Sequence, residues 1–312
     1  MNQCTNLPMA ELACVLLCAG LFAGCLKNDL AQHRMQPPES ILREVSGGHQ
    51  VSGTDPTPIP NPVAQYTSDW SFSEPYSISV NYLGRPDGPY GYTQALPDYL
   101  KIPFWKGTCT KVVAGLLRTT LLKYKVGPDG GTVAQIDVPD AAAYQLSFNL
   151  MFAKDFDFGA GGKLGFGFLI GAGYSAGIPA WDGNGGSVRI MWYRTENGRV
   201  VLKPYVYYKD QPSAYGDDFG QTFPPTGSLI KGKWYSVKIY VKSNTGTNTD
   251  GRINITVSGA RLLDKAIRWT TNDLERLIRY VVFETFRGGA EPYWQSVYNS
   301  NINFNNVTWT PL

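Results

Sequence analysis

The sequence predicts an all-β protein, an antiparallel β-sandwich with a concave groove. Segments rich in Val, Ile, Tyr, Phe and Thr recur along it, broken by turns of Gly, Pro, Asn and Asp. Several segments alternate apolar and polar residues with the two-residue period of a half-buried strand. No strand–helix–strand rhythm accompanies them, which argues against a parallel α/β fold and for a sandwich.

The chain opens on an apolar run, Leu12 to Cys25, too short to cross a bilayer and placed as a signal peptide over residues 1–25. Its end, Leu21-Phe22-Ala23-Gly24-Cys25, resembles a bacterial lipoprotein processing site. Lipid on Cys25 would then tether the protein to a membrane; otherwise it is secreted. Residues 26–68 are rich in Pro, Gly and Ser, with Pro56, Pro58, Pro60 and Pro62 in close succession. Such a segment buries too little apolar surface to offset its ordering entropy, so a disordered stalk is expected. The folded domain is placed at 69–312, long enough for one large sandwich core and expected as a monomer.

Strands are predicted near 75–82, 109–117, 119–125, 144–152, 163–170, 187–195, 199–208, 234–242, 252–258, 279–286 and 302–309. In the fourth, Tyr144, Leu146, Phe148, Leu150 and Phe152 alternate with Gln145, Ser147, Asn149 and Met151. Tyr235, Val237, Ile239 and Val241 form a similar apolar set. Thr271 to Arg279 carries the one helical pattern. Gly-rich stretches at 159–162, 165–177 and 183–186 read as loops that rim the groove. No helix follows them, so they do not suit a dinucleotide or phosphate site.

Composition removes several function classes. Cys4, Cys14, Cys18 and Cys25 fall in the leader, leaving Cys109 alone in the domain, without an internal disulfide or cysteine metal cluster. His33 and His49 fall in the stalk, so a Ser-His-Asp triad or histidine-ligated zinc is excluded from the domain. No cofactor or metal is expected. Residues 1–68 hold three of the 28 Lys+Arg and five of the 25 Asp+Glu, which leaves 69–312 at about +5. That charge suits a polyanion. No run of basic residues and no nucleic-acid module is present, so the polyanion is not expected to be nucleic acid.

The most informative stretch is GGSVRIMWYRTENGRVVLKPYVYY, residues 185–208. Val188, Ile190 and Trp192 point one way, and Ser187, Arg189 and Met191 the other. Past the turn, Leu202, Pro204 and Val206 are apolar, whereas Lys203, Tyr205 and Tyr207 form the opposite set. A two-residue Asn197-Gly198 turn would mix the two sets across the pair. A three-residue loop, Glu196-Asn197-Gly198 with Gly198 at positive φ, sets Arg189 opposite Tyr205, Ser187 opposite Tyr207 and Met191 opposite Lys203. It sorts every apolar residue to one side, as a buried face demands. The polar face carries more chemistry than a structural sheet needs, and it is the expected active surface.

The same residues carry a family resemblance. Gly161-Gly162-Lys163-Leu164, the S-x-R-I-M-W-Y-R run from Ser187 and the Tyr205-x-Tyr207 pair resemble polysaccharide lyase family 14. Phe156-Asp157-Phe158 and the late FETFRGG, Phe283 to Gly289, fit the same pattern, and the likeness covers roughly 144–309. It departs from the family at Gly165-Phe166, where a Pro-Gly-Leu-like continuation is usual. The resemblance implies a β-jelly roll that cleaves alginate or a related polyuronate by β-elimination. It raises Lys163, Ser187, Arg189, Tyr205 and Tyr207 to expected catalytic residues, with Lys203 and Met191 contacting the anionic polysaccharide. In that chemistry a base removes the carbon-bound proton beside the sugar carboxylate, and an acid protonates the leaving glycosidic oxygen. Arg189 and Lys163 are expected on the carboxylate, and Tyr205 and Tyr207 to supply base and acid, in either order or with one tyrosine serving as both, with nearby cations favouring phenolate. Alginate, with mannuronate-type linkages, is the first expectation. A glucuronan lyase or a non-catalytic carbohydrate-binding module is the alternative. A glycoside hydrolase needs two facing carboxylates, and this strand carries none.

Overall fold

The computed structural model describes residues 76–312. The expected signal peptide at 1–25, with Cys25, and the stalk at 26–68 lie outside the described residues.

The described residues form two antiparallel sheets, one of nine strands and one of six. From edge to edge the first contains β13 (Ala260–Ile267), β12 (Gly251–Val257), β11 (Trp234–Lys242), β7 (Ala143–Phe152), β15 (Ser300–Pro311), β5 (Leu116–Leu121), β4 (Thr110–Val113) and β2 (Gly88–Pro89). A short β1 (Ile78–Val80) also pairs with β15. The second contains β10 (Val200–Tyr207), β9 (Gly185–Arg194), β8 (Gly161–Gly171), β14 (Ile278–Arg287), β6 (Thr132–Ala141) and β3 (Phe104–Lys106). Strands distant in sequence are therefore neighbours: β8 from mid-chain lies between β9 and the late β14.

The core fills the space between the sheets, as strand alternation requires. Leu146, Phe148, Leu150 and Phe152 of β7 face inward, as do Val237, Ile239 and Val241 of β11. The second sheet contributes Phe166, Phe168, Val188, Ile190, Trp192 and Phe283, all buried. An aromatic chain joins the two. Phe148 lies 5.4 Å from Phe166, Phe166 stacks on Phe283 at 4.4 Å, and Phe283 meets Phe304 edge-on at 5.3 Å. Such pairs add about 0.5–1.5 kcal/mol each beyond area burial.

The hairpin register is the one the apolar pattern demands. Arg189 pairs with Tyr205, Ser187 with Tyr207, and Met191 with Lys203, while Trp192 meets Leu202 and Val188 meets Val206. Gly198 closes the loop at φ 81°, with its N–H bonded to the Thr195 carbonyl.

Several elements differ from the sequence reading. The segment 165–171 is strand, and its glycines make a bulge rather than a loop. The β8–β9 register shifts between Leu164 and Phe168, and Gly165 sits at φ 71°. Thr271–Arg279 is no helix; a 3-10 turn at Asp273–Glu275 leads into β14, which needs this segment to pair with β8. A real helix, α1 (Tyr92–Tyr99), contains Pro97 and carries weak periodicity, which hid it. Strand β6 was masked by the turn-forming Asp137, Pro139 and Asp140; Pro139 falls where the β14 pairing skips a residue, so its missing N–H is tolerated. Edge strand β13 has the exposed charges Arg261, Asp264 and Lys265, which protect an edge and erase the alternation.

Gly165 tests the bulge. A Cβ there would lie 2.6 Å from the Phe148 ring and would also hold a left-handed φ. Gly165→Ala is expected to cost at least about 2 kcal/mol from strain and overpacking, read as a lowered denaturant midpoint.

Candidate active site

The outer face of the six-stranded sheet brings the candidate residues together because each strand exposes alternate side chains to it. Lys163 on β8 pairs with Met191 on β9, which pairs with Lys203 on β10. One step along, Arg189 sits beside Tyr205, and beyond it Ser187 beside Tyr207. On the far side of β8, Phe286 of β14 pairs with Lys163, and Glu284 shares its face two residues away.

Arg189 is the most heavily engaged of these side chains. It is only 4% exposed. Its Nη1 donates to both carboxylate oxygens of Glu284, at 3.1 and 2.9 Å. Its Nη2 donates to the Tyr174 carbonyl at 2.5 Å and the Ser187 hydroxyl at 2.7 Å. To reach from β9 to β14 the side chain must cross β8, and it does so over Gly167. A Cβ on Gly167 would lie 3.0 Å from the Arg189 Cγ and 2.2 Å from the Val188 carbonyl oxygen. In this arrangement Arg189 is therefore committed within the protein, its terminal nitrogens turned to Glu284, Ser187 and the Tyr174 carbonyl rather than held as an open fork.

Ser187 and Tyr207 are also withdrawn from solvent, both at 0% exposure. The loop after β8, residues 172–184, folds back over them. The Ser187 hydroxyl donates to the Tyr174 carbonyl at 2.6 Å, and the Gly177 N–H donates to the Tyr207 hydroxyl at 3.1 Å. Tyr174 is tied in turn to Asp182, and Trp181 donates to the Gln211 carbonyl at 2.9 Å. In this closed arrangement neither Ser187 nor Tyr207 reaches substrate. They hold the loop and, through a 3.3 Å contact between the two phenol oxygens, Tyr205.

The accessible chemistry lies at Lys163, Tyr205 and Lys203, each half-buried. The Lys163 ammonium sits 3.0 Å from the centre of the Tyr205 ring and 3.1 Å from the Met191 sulfur. Gly216 closes the ring's surroundings: its Cβ, if present, would lie 2.8–3.0 Å from the ring atoms. Lys203 is at the rim, bonded to Asp218 at 2.6 Å and 4.1 Å above the Tyr193 ring. Among the described residues no group of three or more His, Cys, Asp or Glu could hold a metal ion.

These surroundings reverse the expected protonation. Burial, then repulsion from Arg189 and Lys203, holds the Lys163 amine well below the usual lysine range, against the pull of Glu284. Burial and the Tyr207 phenol push Tyr205 above the ordinary phenol range, outweighing the Gly216 backbone and the Arg189 charge. The neighbouring cations do not produce a resting phenolate. Desolvation wins because it acts on each group directly, whereas Arg189 is already paired with Glu284. The site thus offers an amine that gives up its proton readily, in contact with a phenol that keeps its own.

Glu284, Asp218 and Gly216 went unrecognised as site residues in the sequence, whereas the 172–184 loop overlaps the Gly-rich stretches read there as rims of the groove. Glu284 left a signal: a carboxylate between Phe283 and Thr285, inside an apolar strand, is rarely buried without a partner. The others left none, because they reach the site from loops.

Comparison with known proteins places this arrangement. Residues 128–307 match the family model described as polysaccharide lyase 14. The alginate lyase Aly36B superposes with a TM-score of 0.75 at 46% identity, over 76% of this chain and 98% of that one. Double variants of that lyase, with a lysine and either a tyrosine or a methionine changed to alanine, hold an alginate tetrasaccharide and trisaccharide respectively. The alginate lyase vAL-1 from Chlorella virus superposes with a TM-score of 0.53 at 26% identity, over 65% of this chain and 88% of its own. Exolysin of Paramecium bursaria Chlorella virus 1 is 28% identical over 53% of this chain; the match spans 29% of that relative's length.

The Arg189–Glu284 pair predicts a stability effect that groove exposure alone would not. Arg189→Ala leaves a buried carboxylate uncompensated and is expected to lower stability by about 3–5 kcal/mol. Replacing both, Arg189→Met with Glu284→Leu, should recover most of that loss in a denaturant titration.

Proposed function

The chain belongs to polysaccharide lyase family 14, by its match over 128–307 and its 46% identity to an alginate lyase, and from that premise we propose that it cleaves alginate by β-elimination with Lys163 as base and Tyr205 as acid. The observation that carries this assignment is the ammonium of Lys163 on the Tyr205 ring, with the lysine value lowered and the phenol value raised. The lysine amine takes the proton from the carbon bearing the carboxylate. The freed electron pair forms the new carbon–carbon double bond, the bond to the glycosidic oxygen breaks, and the Tyr205 hydroxyl protonates that oxygen. The lysine ammonium and tyrosine phenolate left behind are neighbours, so one proton passed between them restores both. Lys163 must swing from the ring toward the hydroxyl and the substrate to do this. Lys203, released from Asp218, supplies the charge opposite the sugar carboxylate. It fits this reading that the residue types changed in the Aly36B complexes, lysine, tyrosine and methionine, are those in contact around the Tyr205 ring here.

Base and acid come from one face of one sheet, so they approach the sugar from one side. That suits mannuronate, whose two breaking bonds lie on the same side of the ring. Glucuronate shares this geometry and remains the second reading. We propose a metal-independent reaction, in which the Lys203 ammonium neutralises the carboxylate. Export, with lipid on Cys25, is proposed from the leader sequence; loss of fatty-acid labelling in Cys25→Ser tests it.

Elimination makes a double bond conjugated to the carboxylate, so ultraviolet absorbance rises as product forms. The full chain in excess chelator is expected to raise absorbance faster on polymannuronate than on polyguluronate. Equal or reversed rates would remove the one-sided mechanism, and activity restored only by added metal would remove metal independence.

The pH profile follows from the two shifts. Lys163 is a base only after losing its proton, so the rate climbs until pH passes its lowered value and then levels. Tyr205 is an acid only while protonated, so the fall comes above the free phenol value of about 10. A plateau between the lowered lysine limb and the phenol limb is expected. Lys163→Ala and Tyr205→Phe should each lower kcat by about 10²–10⁴, with Tyr205→Phe also abolishing the alkaline limb.

A further inference from the structure

The 172–184 loop bonds Ser187, Arg189 and Tyr207 at one end of the candidate face. The other end of that face lies along β9 toward Tyr193. There the sheet face ends in a row of aromatic rings. Tyr193 lies 6.2 Å from Trp294, and Trp294 lies 5.1 Å from Tyr293 at an interplanar angle of 32°. Tyr293 is 66% exposed.

Glycines seat this row. A Cβ on Gly161 would lie 3.2 Å from the Trp294 ring, and one on Gly289 would lie 1.9 Å from its Nε1. Gly161 of GGKL, on β8, and Gly289 of FRGG, just past the end of β14, thus leave room for one indole. A charge stands beside it: the Lys203 ammonium is 4.1 Å above the Tyr193 ring and is already at the rim of the site.

We propose that Trp294 and Tyr293, continued by Tyr193, form a stacking platform for a second segment of the polyuronate chain, away from the bond being cut. The proposal rests on the polyuronate reading above. A sugar ring has an apolar face of hydrogens that lies flat on an aromatic ring, and amphipathic rings serve such contacts without losing much side-chain entropy. Its carboxylate projects from the edge, clear of the aromatic face. Tyr193 stands two residues along β9 from Met191, the partner of Lys163, and four from Arg189, the partner of Tyr205, roughly 7 and 13 Å at the rise of a strand. Trp294 and Tyr293 continue the row from Tyr193, so the platform engages long substrates and misses the shortest ones. Its effect belongs in KM and in the preference for chain length.

The test compares Trp294→Ala and Tyr293→Ala with the unaltered full chain on polymannuronate and on its shortest cleavable oligosaccharides. For the polymer, KM is expected to rise about tenfold in Trp294→Ala and severalfold in Tyr293→Ala, with kcat falling by less than about twofold. The KM effect should shrink on the short substrates, and Trp294→Phe should restore most of it. Tyr293 is exposed, so its variant keeps the result readable where Trp294→Ala destabilises the fold. Polymer KM unchanged in both variants, or an equal loss at every length, overturns the platform while leaving the lyase reading intact. If the unaltered chain eliminates from no polyuronate, the lyase reading fails. Calorimetric titration with polymannuronate then decides the platform: weaker binding by both alanine variants supports it, and equal binding or none overturns it.

Discussion

The Arg189–Glu284 ion pair is the constraint around which the outer face is arranged. Two charges removed from water cost several kcal/mol each unless geometry and further hydrogen bonds compensate. Here the compensation is distributed. Glu284 takes two bonds from one nitrogen, and the other nitrogen is satisfied by Ser187 and the Tyr174 carbonyl. The 172–184 loop is therefore part of the charge network rather than a separate rim. Because that loop also donates Gly177 N–H to Tyr207, and Tyr207 touches Tyr205, the buried pair is linked to the Tyr205 phenol through the loop and three hydrogen bonds.

Space for this network comes from residues that lack side chains. Arg189 crosses β8 where Gly167 leaves the sheet bare, and the Tyr205 ring lies against Gly216. Gly288 brings its backbone within 3.2 Å, measured from a Cβ position, of the Met191 methyl. Side chains at these points would push the groove floor outward. The glycine content of this region is thus a record of close approach, by an arginine, a tyrosine and an indole.

Electrostatics then divides the labour between two groups in contact. Both Lys163 and Tyr205 are shifted first by burial, and burial favours the neutral form of each. For lysine the neutral form is a base; for tyrosine it is an acid. In the proposed mechanism a single low-dielectric environment would thus prepare both partners of the elimination, without a histidine or carboxylate to titrate near neutrality.

The amino-acid sequence by itself determined the sandwich, the faces of β9 and β10, the three-residue turn at Gly198 and the pairing of Arg189 with Tyr205. These follow from two-residue alternation and from the single register that keeps Val188, Ile190 and Trp192 on one side. Both are local properties of about twenty residues. It also gathered Lys163, Met191, Lys203 and Tyr205 as candidates. Tertiary structure alone decided what each touches. Glu284 arrives from β14, almost a hundred residues after Arg189, and makes it half of an internal ion pair. The 172–184 loop covers Ser187 and Tyr207. Strands β6 and β13 were illegible because turn-forming and charged residues there serve a bulge and an edge. Burial and long-range pairing set side-chain roles, and neither is written in the spacing of residues along a strand.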